Sequence, residues 1–227
     1  MAQVKATDRS RAQYANLRRR FARASQPVII TQSYLRSEAV LGTQSQINFP
    51  VLVNQNVVSI NEKRLALPDV FVITSMALAI YKVASGAPVS SGILRTYPNT
   101  SVFNGTATEA RNLQSLYNGF LTIRVNQTVW IDSLDVQRFY RVPVSQEGVA
   151  VSTVATTGLI QRDGYDNGDF PWYGTTPGIE LSGATKNDIS VTLPESIALG
   201  GTSSTNYAVF YARGFLCQNG ANFNSRR

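Results

Sequence analysis

The central segment, residues 119–143 with the sequence GFLTIRVNQTVWIDSLDVQRFYRVP, constrains the fold more than any other stretch. Apolar and polar residues alternate over 121–126, which predicts a strand with one face toward solvent. Residues 129–131 bring three bulky apolar side chains together, as in a strand buried on both faces, and 136–142 predict a further strand that Pro143 ends. Consecutive strands predict antiparallel pairing, so we expect this segment at the middle of an all-β fold.

Strand-like runs continue on both sides of this segment. Apolar, aromatic and β-branched residues predict further strands at 28–35, 47–53, 70–83, 149–155, 158–162, 189–193 and 207–217. Residues 106–117 predict the body's one convincing helix, and glycines and prolines predict a long irregular loop over 163–183. The shortage of helices excludes alternating βαβ units. The predicted fold class is therefore an antiparallel two-sheet sandwich, a jelly roll, with one short inserted helix.

Positive charge is concentrated near the N-terminus. The chain has 227 residues and a net charge of +7, and residues 1–23 contain seven basic residues and one Asp, a net +6. The remaining fourteen basic and thirteen acidic residues leave the rest of the chain at only +1. We therefore divide the chain into a basic N-terminal arm at 1–26, a single domain at 27–217 and a polar tail at 218–227.

The arm carries the residues predicted to bind a partner. Arginine pairs with phosphate through a two-pronged donor geometry and needs no base sequence, which predicts contact with nucleic acid. The predicted nucleic-acid-binding residues are Lys5, Arg9, Arg11, Arg18, Arg19, Arg20 and Arg23. Tyr14, Leu17 and Phe21 form one helical stripe, which leaves open an amphipathic helix on an anionic membrane, a solubilising tail, or a basic helix packed on the body. Because three apolar residues are too few to fold a helix alone, we expect order only against a partner.

Residues suited to catalysis or metal binding are few. The sequence has no His, so the usual serine and cysteine nucleophile systems lack their base and common zinc sites lack a ligand. We therefore expect neither enzymatic activity nor a cofactor, and we expect Cys217, within the last predicted strand, to be a buried structural thiol. Asp163, Asp166 and Asp169, with Glu180, are the candidate cluster. They fit a calcium site, a carboxylate pair for glycoside hydrolysis, or a polar loop in which Asp shapes turns.

The layout of the chain resembles that of a known family. An arginine-rich arm followed by a neutral eight-stranded sandwich that ends in YAVFYARGFLCQ resembles the coat proteins of small icosahedral viruses. The run NEKRLALPDVFVITSMALAIYKV at 61–83 is similar to coat proteins of small tailless bacterial viruses. The resemblance implies a jelly-roll shell with the arm directed inward to the genome, and the arginines at 18–20 and 23 match that arm in type and position. A purely genome-binding arm does not need the apolar stripe, so contact with an internal membrane or a neighbouring subunit stays open.

The expected function is that of a structural virion protein. We expect a self-assembling icosahedral capsid subunit, assembled in the host cytoplasm and located in the virion, whose partners are its own copies, other virion proteins and the packaged nucleic acid. Contacts between copies are expected on 70–83, on 207–217 or on the 163–183 loop. One alternative is a carbohydrate-binding or carbohydrate-hydrolysing jelly-roll module in which Trp172 and Tyr173 stack on a sugar. Another is a cellular nucleic-acid-binding protein with a basic tail.

Overall fold

The structure, a computed structural model, describes residues 2–24, 26–57, 59–142 and 171–221, with side chains from residue 11 onward. The α-helices are α1 (Ala2–Phe21) and α2 (Glu109–Gln114). The strands are β1 (Ile29–Leu41), β2 (Thr43–Asn48), β3 (Val70–Ala84), β4 (Phe120–Val125), β5 (Thr128–Asp135), β6 (Tyr173–Ser182), β7 (Asn187–Ala198) and β8 (Ser204–Gln218). The strands predicted at 149–155 and 158–162 lie outside the described residues.

The strands form two antiparallel four-stranded sheets. The first sheet has the order β1-β8-β3-β6, and the second has the order β2-β7-β4-β5. The pairs β1·β8, β2·β7, β3·β6 and β4·β5 are all antiparallel. The predicted fold class is therefore confirmed as a mostly β structure of two antiparallel sheets with few helices.

The two sheets share one hydrophobic core. β3 lies between β8 and β6 and is buried along nearly its whole length, as its continuous apolar sequence predicts. Aromatic rings from strands and connections are the largest fully buried side chains of this core: Phe49, Phe71, Phe103, Tyr117, Phe139 and Phe210. Burying a ring of this size contributes about 1.5–3 kcal/mol to the free energy of unfolding. The core therefore holds the two sheets in fixed positions relative to each other.

One irregularity interrupts β3. The register of β3 with both β6 and β8 shifts at Thr74, whose Oγ1 donates a hydrogen bond to the Arg213 carbonyl oxygen at 3.1 Å. Close by, a Cβ on Gly214 would lie 1.8 Å from the carbonyl oxygen of Val72. Only glycine permits β8 to approach the bulge this closely.

Half of the segment expected at the middle of the fold, β5, lies at an edge among the described strands, whereas β4 lies inside the second sheet. The apolar residues at 129–131 are part of β5, the last strand of the second sheet, in which Val129 and Trp130 are 45% and 42% exposed. The prediction of a strand buried on both faces is therefore wrong for this stretch. Three adjacent apolar residues fit a buried strand and an exposed edge equally well, because local composition does not specify neighbouring strands.

The prediction of a strand at 136–142 is also wrong. A 3-10 turn, Val136–Phe139, replaces it. The carboxylate of Asp135 accepts a hydrogen bond from the Gln137 backbone N–H at 2.9 Å and caps this turn. Two residues of the apolar run, Val136 and Phe139, are buried in the core through the turn and not through a strand.

The prediction of a strand at 47–53 is wrong beyond residue 48, where β2 ends and an irregular connection begins. The remaining predicted elements keep their type but change their limits, with one exception. The helix predicted at 106–117 divides into α2 and a 3-10 turn, Ser115–Asn118. The loop predicted at 163–183 contains β6, because pairing with β3 buries Ile179 and Leu181 in spite of the surrounding glycines. Glycine content therefore predicted irregular structure where strand pairing decided the outcome.

Candidate nucleic-acid interface

The arginines of α1 face solvent. Lys5 and Arg9 lie within the helix, in the part whose side chains are not described. The other predicted nucleic-acid-binding residues are exposed: Arg11, Arg18, Arg19, Arg20 and Arg23. Three of them occupy the last turn of α1, where positive charge also stabilises the helix through its dipole. The arrangement therefore presents a row of cations to solvent on an ordered element.

The apolar stripe of α1 packs on the first sheet. Leu17 and Phe21 are 7% and 6% exposed and form a cluster with Val70, Val72, Phe215, Cys217 and Ala221. The Tyr14 ring is partly exposed and lies 5.9 Å from the Phe215 ring, centroid to centroid. The chain's own sheet thus occupies the face that a lipid-bound helix would insert, and the exposed side chains of Arg11, Arg18 and Arg19 lie outside this contact.

An ion pair joins α1 to the first sheet. The Arg20 guanidinium donates to both carboxylate oxygens of Glu180 in β6, with the Nη2–Oε1 distance at 3.0 Å, and it also lies over the Phe21 ring. The sequence placed Glu180 in a candidate calcium cluster. The structure instead shows Glu180 as a helix anchor, which no local pattern indicated because the two residues are 160 positions apart.

Of the candidate calcium cluster, only Glu180 lies within the described residues. Asp163, Asp166 and Asp169 lie outside the described residues. Within the described part of the chain, no group of three or more His, Cys, Asp or Glu residues is arranged to hold a metal ion. The calcium hypothesis therefore stays a prediction from sequence.

Cations cover the proposed sugar-stacking rings. The Arg213 guanidinium carbon lies 3.9 Å from the Trp172 ring centroid, and that of Arg138 lies 5.7 Å from the Tyr173 ring centroid. Both rings are half-buried, and Tyr173 also makes an edge contact with Phe139. A sugar would have to displace an arginine to stack on either ring, so this geometry does not favour the carbohydrate alternative.

Cys217 is a buried thiol. It is 0% exposed within the cluster under α1, and burial raises the pKa of its thiol to about 12. At neutral pH the group is therefore a neutral thiol, whereas a cysteine nucleophile has to be a thiolate. The prediction of a buried thiol in the last strand is confirmed.

Two carboxylates, that of Glu38 in β1 and that of Glu62 in the connection before β3, are occupied by structural hydrogen bonds. Glu38 accepts from Arg36 Nε at 2.6 Å and from Tyr81 Oη at 2.5 Å, and Glu62 accepts from Arg64 at 2.7 Å. Burial, and then the hydrogen bond to Glu38, raises the pKa of Tyr81. These carboxylate oxygens fix a connection onto the sheet, so this pair does not supply the acid and base of a glycosidase.

Sequence reasoning overlooked a second set of basic residues. Arg213 in β8 and Lys63 beside β1 lie against aromatic rings on the first sheet. A local sequence pattern could have identified part of this set. The same pattern, Tyr-x-Arg, occurs in β1 at Tyr34 and Arg36 and in β8 at Tyr211 and Arg213. A spacing of two places both residues of each pattern on one face of a strand.

Comparisons with known proteins add no family. No described helix is both long and apolar enough to cross a membrane. No protein-family model matches the sequence, and neither the curated proteins nor the solved structures that were searched contain a match.

Proposed function

We propose that this chain is a self-assembling coat subunit of an icosahedral virion, with a jelly-roll body and a basic helix that contacts the packaged nucleic acid. The strand pairing carries the proposal. Of the eight described strands, the first pairs with the eighth, the second with the seventh, the third with the sixth and the fourth with the fifth. A two-stranded ribbon closed by the β4–β5 hairpin and rolled into two sheets has this pairing, and rolled ribbons of eight strands occur in viral capsid domains.

The charge of α1 favours a coat subunit over a lectin, which can share the rolled-ribbon fold. The helix bears six basic residues and one acidic residue. Arginine side chains exposed on a helix neutralise phosphates without reading a base sequence, as a packaged genome of varied sequence requires. The ring contacts of Trp172 and Tyr173 with arginines give no corresponding support to sugar binding.

Nucleic-acid binding is tested by removing charge and keeping the helix in place. Deleting residues 1–26 would also uncover Val70, Phe215 and Cys217, so a charge-only variant is cleaner. Replacing the exposed arginines at 11, 18, 19 and 23 by Gln leaves Leu17, Phe21 and the Arg20–Glu180 ion pair to hold α1. If about five to six basic residues engage, the parent should bind with a log–log salt slope of roughly −4 to −5, and the variant should lose most of its affinity.

A parallel measurement with anionic lipid vesicles distinguishes nucleic-acid binding from membrane binding. A variant that binds nucleic acid as tightly as the parent, with the same salt slope, would remove α1 from the proposed interface. Binding of the parent to vesicles but not to nucleic acid would favour the membrane surface instead.

Assembly is tested on the purified full chain. A coat subunit should form closed particles of uniform size at physiological salt, visible by negative-stain microscopy and eluting early from a sizing column. Obligate contacts of this kind bury on the order of 2,000 Å² or more per pair of copies. A protein that stays strictly monomeric at high concentration, with and without added nucleic acid, would contradict the coat function.

A further inference from the structure

Cations and aromatic rings alternate in a row across the outer surface of the first sheet. The row consists of Lys63, Tyr34, Arg36, Tyr211, Trp172 and Arg213. Lys63 Nζ lies 4.5 Å from the Tyr34 ring centroid, and the Tyr34 and Tyr211 rings stack at 5.6 Å with an angle of 15°. The Trp172 ring meets Tyr211 edge-on at 6.0 Å and carries the Arg213 guanidinium on its face.

The row borders the surface on which α1 packs. Tyr34 pairs with Arg213 across β1 and β8, and the next pair on the same face is Gln32 with Phe215. Phe215 belongs to the cluster under α1, and the Tyr14 ring contacts it. The arginines of the helix and the cations of the row are therefore on the same side of the molecule.

Exposure within the row differs between its members. Lys63 and Arg213 are exposed, and Tyr34 is 40% exposed. Arg36 is committed to the fold, because its guanidinium forms an ion pair with the fully buried carboxylate of Glu38. Two cations and part of one ring are thus accessible to a ligand, while the remaining members support them.

Charge distinguishes this side of the molecule from the opposite side. The strands of the first sheet together with α1 contain nine basic and three acidic residues, a net +6. The strands of the second sheet contain Arg124 as their one basic residue and four acidic residues, a net −3. A polyanion approaching the subunit is therefore attracted to the side that carries the row.

We propose that this row extends the α1 interface into a binding surface for single-stranded nucleic acid. Lys63 and Arg213 contact phosphates, and the exposed edge of the Tyr34 ring, whose faces are occupied by Lys63 and Tyr211, contacts an unpaired base. Alternating cations and aromatic side chains bind single strands in this way, and a duplex cannot offer its stacked bases to the ring. The inference deepens the proposed function and depends on it, because it identifies the strandedness of the partner and a second contact region.

The test compares matched triple variants of the full chain. The row variant is Lys63→Gln, Tyr34→Leu, Arg213→Gln. The control on the second sheet is Lys186→Gln, Phe120→Leu, Arg124→Gln, in which Phe120 is 45% exposed and both cations are exposed. Each removes two positive charges and one half-exposed ring. Binding of a labelled oligo-dT strand and of a duplex of equal length is followed by fluorescence anisotropy between about 50 and 200 mM salt.

The row variant should bind the single strand at least about tenfold more weakly than the parent, because it loses two phosphate contacts and one contact between a ring edge and a base. Its salt slope should become shallower by about 1.4, and its affinity for the duplex should fall less. The control should bind as the parent does. Equal binding by row variant and parent, or an equal loss in the control, would overturn the proposal.

A folding defect is separated from a binding defect by a second variant. Lys63→Gln with Arg213→Gln keeps all three rings, and by itself it should make the slope shallower by about 1.4. If the double variant is folded by circular dichroism and its slope is unchanged, the phosphate contacts are wrong. The α1 arginine variant is measured alongside. If the α1 arginine variant loses binding and the row variant does not, the row alone is refuted. If the parent itself does not bind nucleic acid, the proposed function is refuted.

Discussion

Glu109 shows how a single buried carboxylate joins distant parts of the chain. It is 2% exposed and accepts hydrogen bonds from Lys82 Nζ at 2.9 Å, Asn206 Nδ2 at 2.8 Å and the Gly105 backbone N–H at 2.5 Å. Burial alone would raise the pKa of Glu109, but the hydrogen bonds from Asn206, Lys82 and Gly105 together lower it. The stabilisation is therefore present at neutral pH and is lost as the pH falls through the folded-state pKa. One carboxylate thus ties α2 to both β3 and β8.

Cys217 has the opposite dependence on pH. Its pKa is raised to about 12 in the folded protein, whereas the pKa of a cysteine in the unfolded chain is about 8.5. The thiol therefore contributes stability that is complete below about pH 8.5 and decreases as the pH rises toward 12. Between about pH 9 and 10 this one group should lower the free energy of unfolding by about 1.4 kcal/mol per pH unit.

The measurement is urea unfolding of the parent and of Cys217→Ala at several alkaline pH values. The variant lacks the thiol proton, so its stability should decrease less steeply over the same range. Buried tyrosines with raised pKa values, Tyr81, Tyr117 and Tyr207, add to the decrease in both proteins, mainly above about pH 10. Identical slopes below that pH would show that the thiol is not buried as the structure describes.

At the scale of elements, α1 is held by the residues of its C-terminal half. Leu17 and Phe21 supply the buried contacts, and burying two such side chains contributes about 3–6 kcal/mol. A cavity of about 420 Å³ separates the helix from the sheet alongside this contact, lined by Gln13 and Asn16 of α1 and by Thr176 and Gly178 of β6. The attachment of α1 therefore depends on a small apolar contact and the ion pair from Arg20.

Replacing Leu17 and Phe21 by Ser should release α1 from the sheet. Cys217 lies in the same cluster, so release should expose the chain's single thiol. Losing about 3 kcal/mol of stabilisation from side-chain burial shifts the equilibrium between attached and detached α1 by roughly a hundredfold. The thiol should therefore react with a maleimide correspondingly faster. Arg18→Gln with Arg19→Gln changes the exposed face of the same helix and should leave the rate unchanged. Equal rates in all three proteins would mean that α1 does not cover Cys217.

Sequence patterns predicted the elements whose environment is uniform along their length. β3 is apolar throughout because it lies between two strands, and β4 alternates because one face meets the core. The patterns did not distinguish β5 from a buried strand, and they did not find β6 among its glycines, because both outcomes depend on pairing partners distant in sequence. The arginines of α1 were predicted from local charge, whereas the Arg20–Glu180 pair and the row on the first sheet arise only when α1 and the four strands of the first sheet come together.

For the whole molecule, the structure changes where contacts between copies are expected. The runs at 70–83 and 207–217 are largely buried within the chain's own fold, so they do not offer an open surface for a second copy. β5 offers an open surface for a second copy. Within the described ranges it pairs with β4 alone, and its first half exposes Val129 and Trp130. An unpaired edge strand with apolar side chains is a ready site for association.

The edge of the first sheet at β1 and the edge of the second sheet at β5 are not equivalent. On the first sheet, the edge of β1 is partly closed, because the Arg36 backbone N–H donates to the Lys63 carbonyl at 2.9 Å and Lys63 returns the bond at 3.0 Å. On the second sheet, Asp132 and Asp135 and the left-handed residue Ser133 restrict pairing to the first half of β5. Contacts between copies are therefore predicted at Val129 and Trp130.

Val129→Lys with Trp130→Lys should block assembly and leave the subunit folded, since both side chains are about half exposed and charge on an edge strand opposes pairing. The matched control is Ile29→Lys with Val40→Lys on β1, where the side chains are 56% and 47% exposed. Light scattering after size exclusion should show monomers for the β5 variant and particles for the parent and the control. Particles of normal size from the β5 variant would place the subunit contact elsewhere. Loss of particles in both variants, with unchanged melting temperatures, would mean that β1 also contributes to the shell in spite of its partly closed edge.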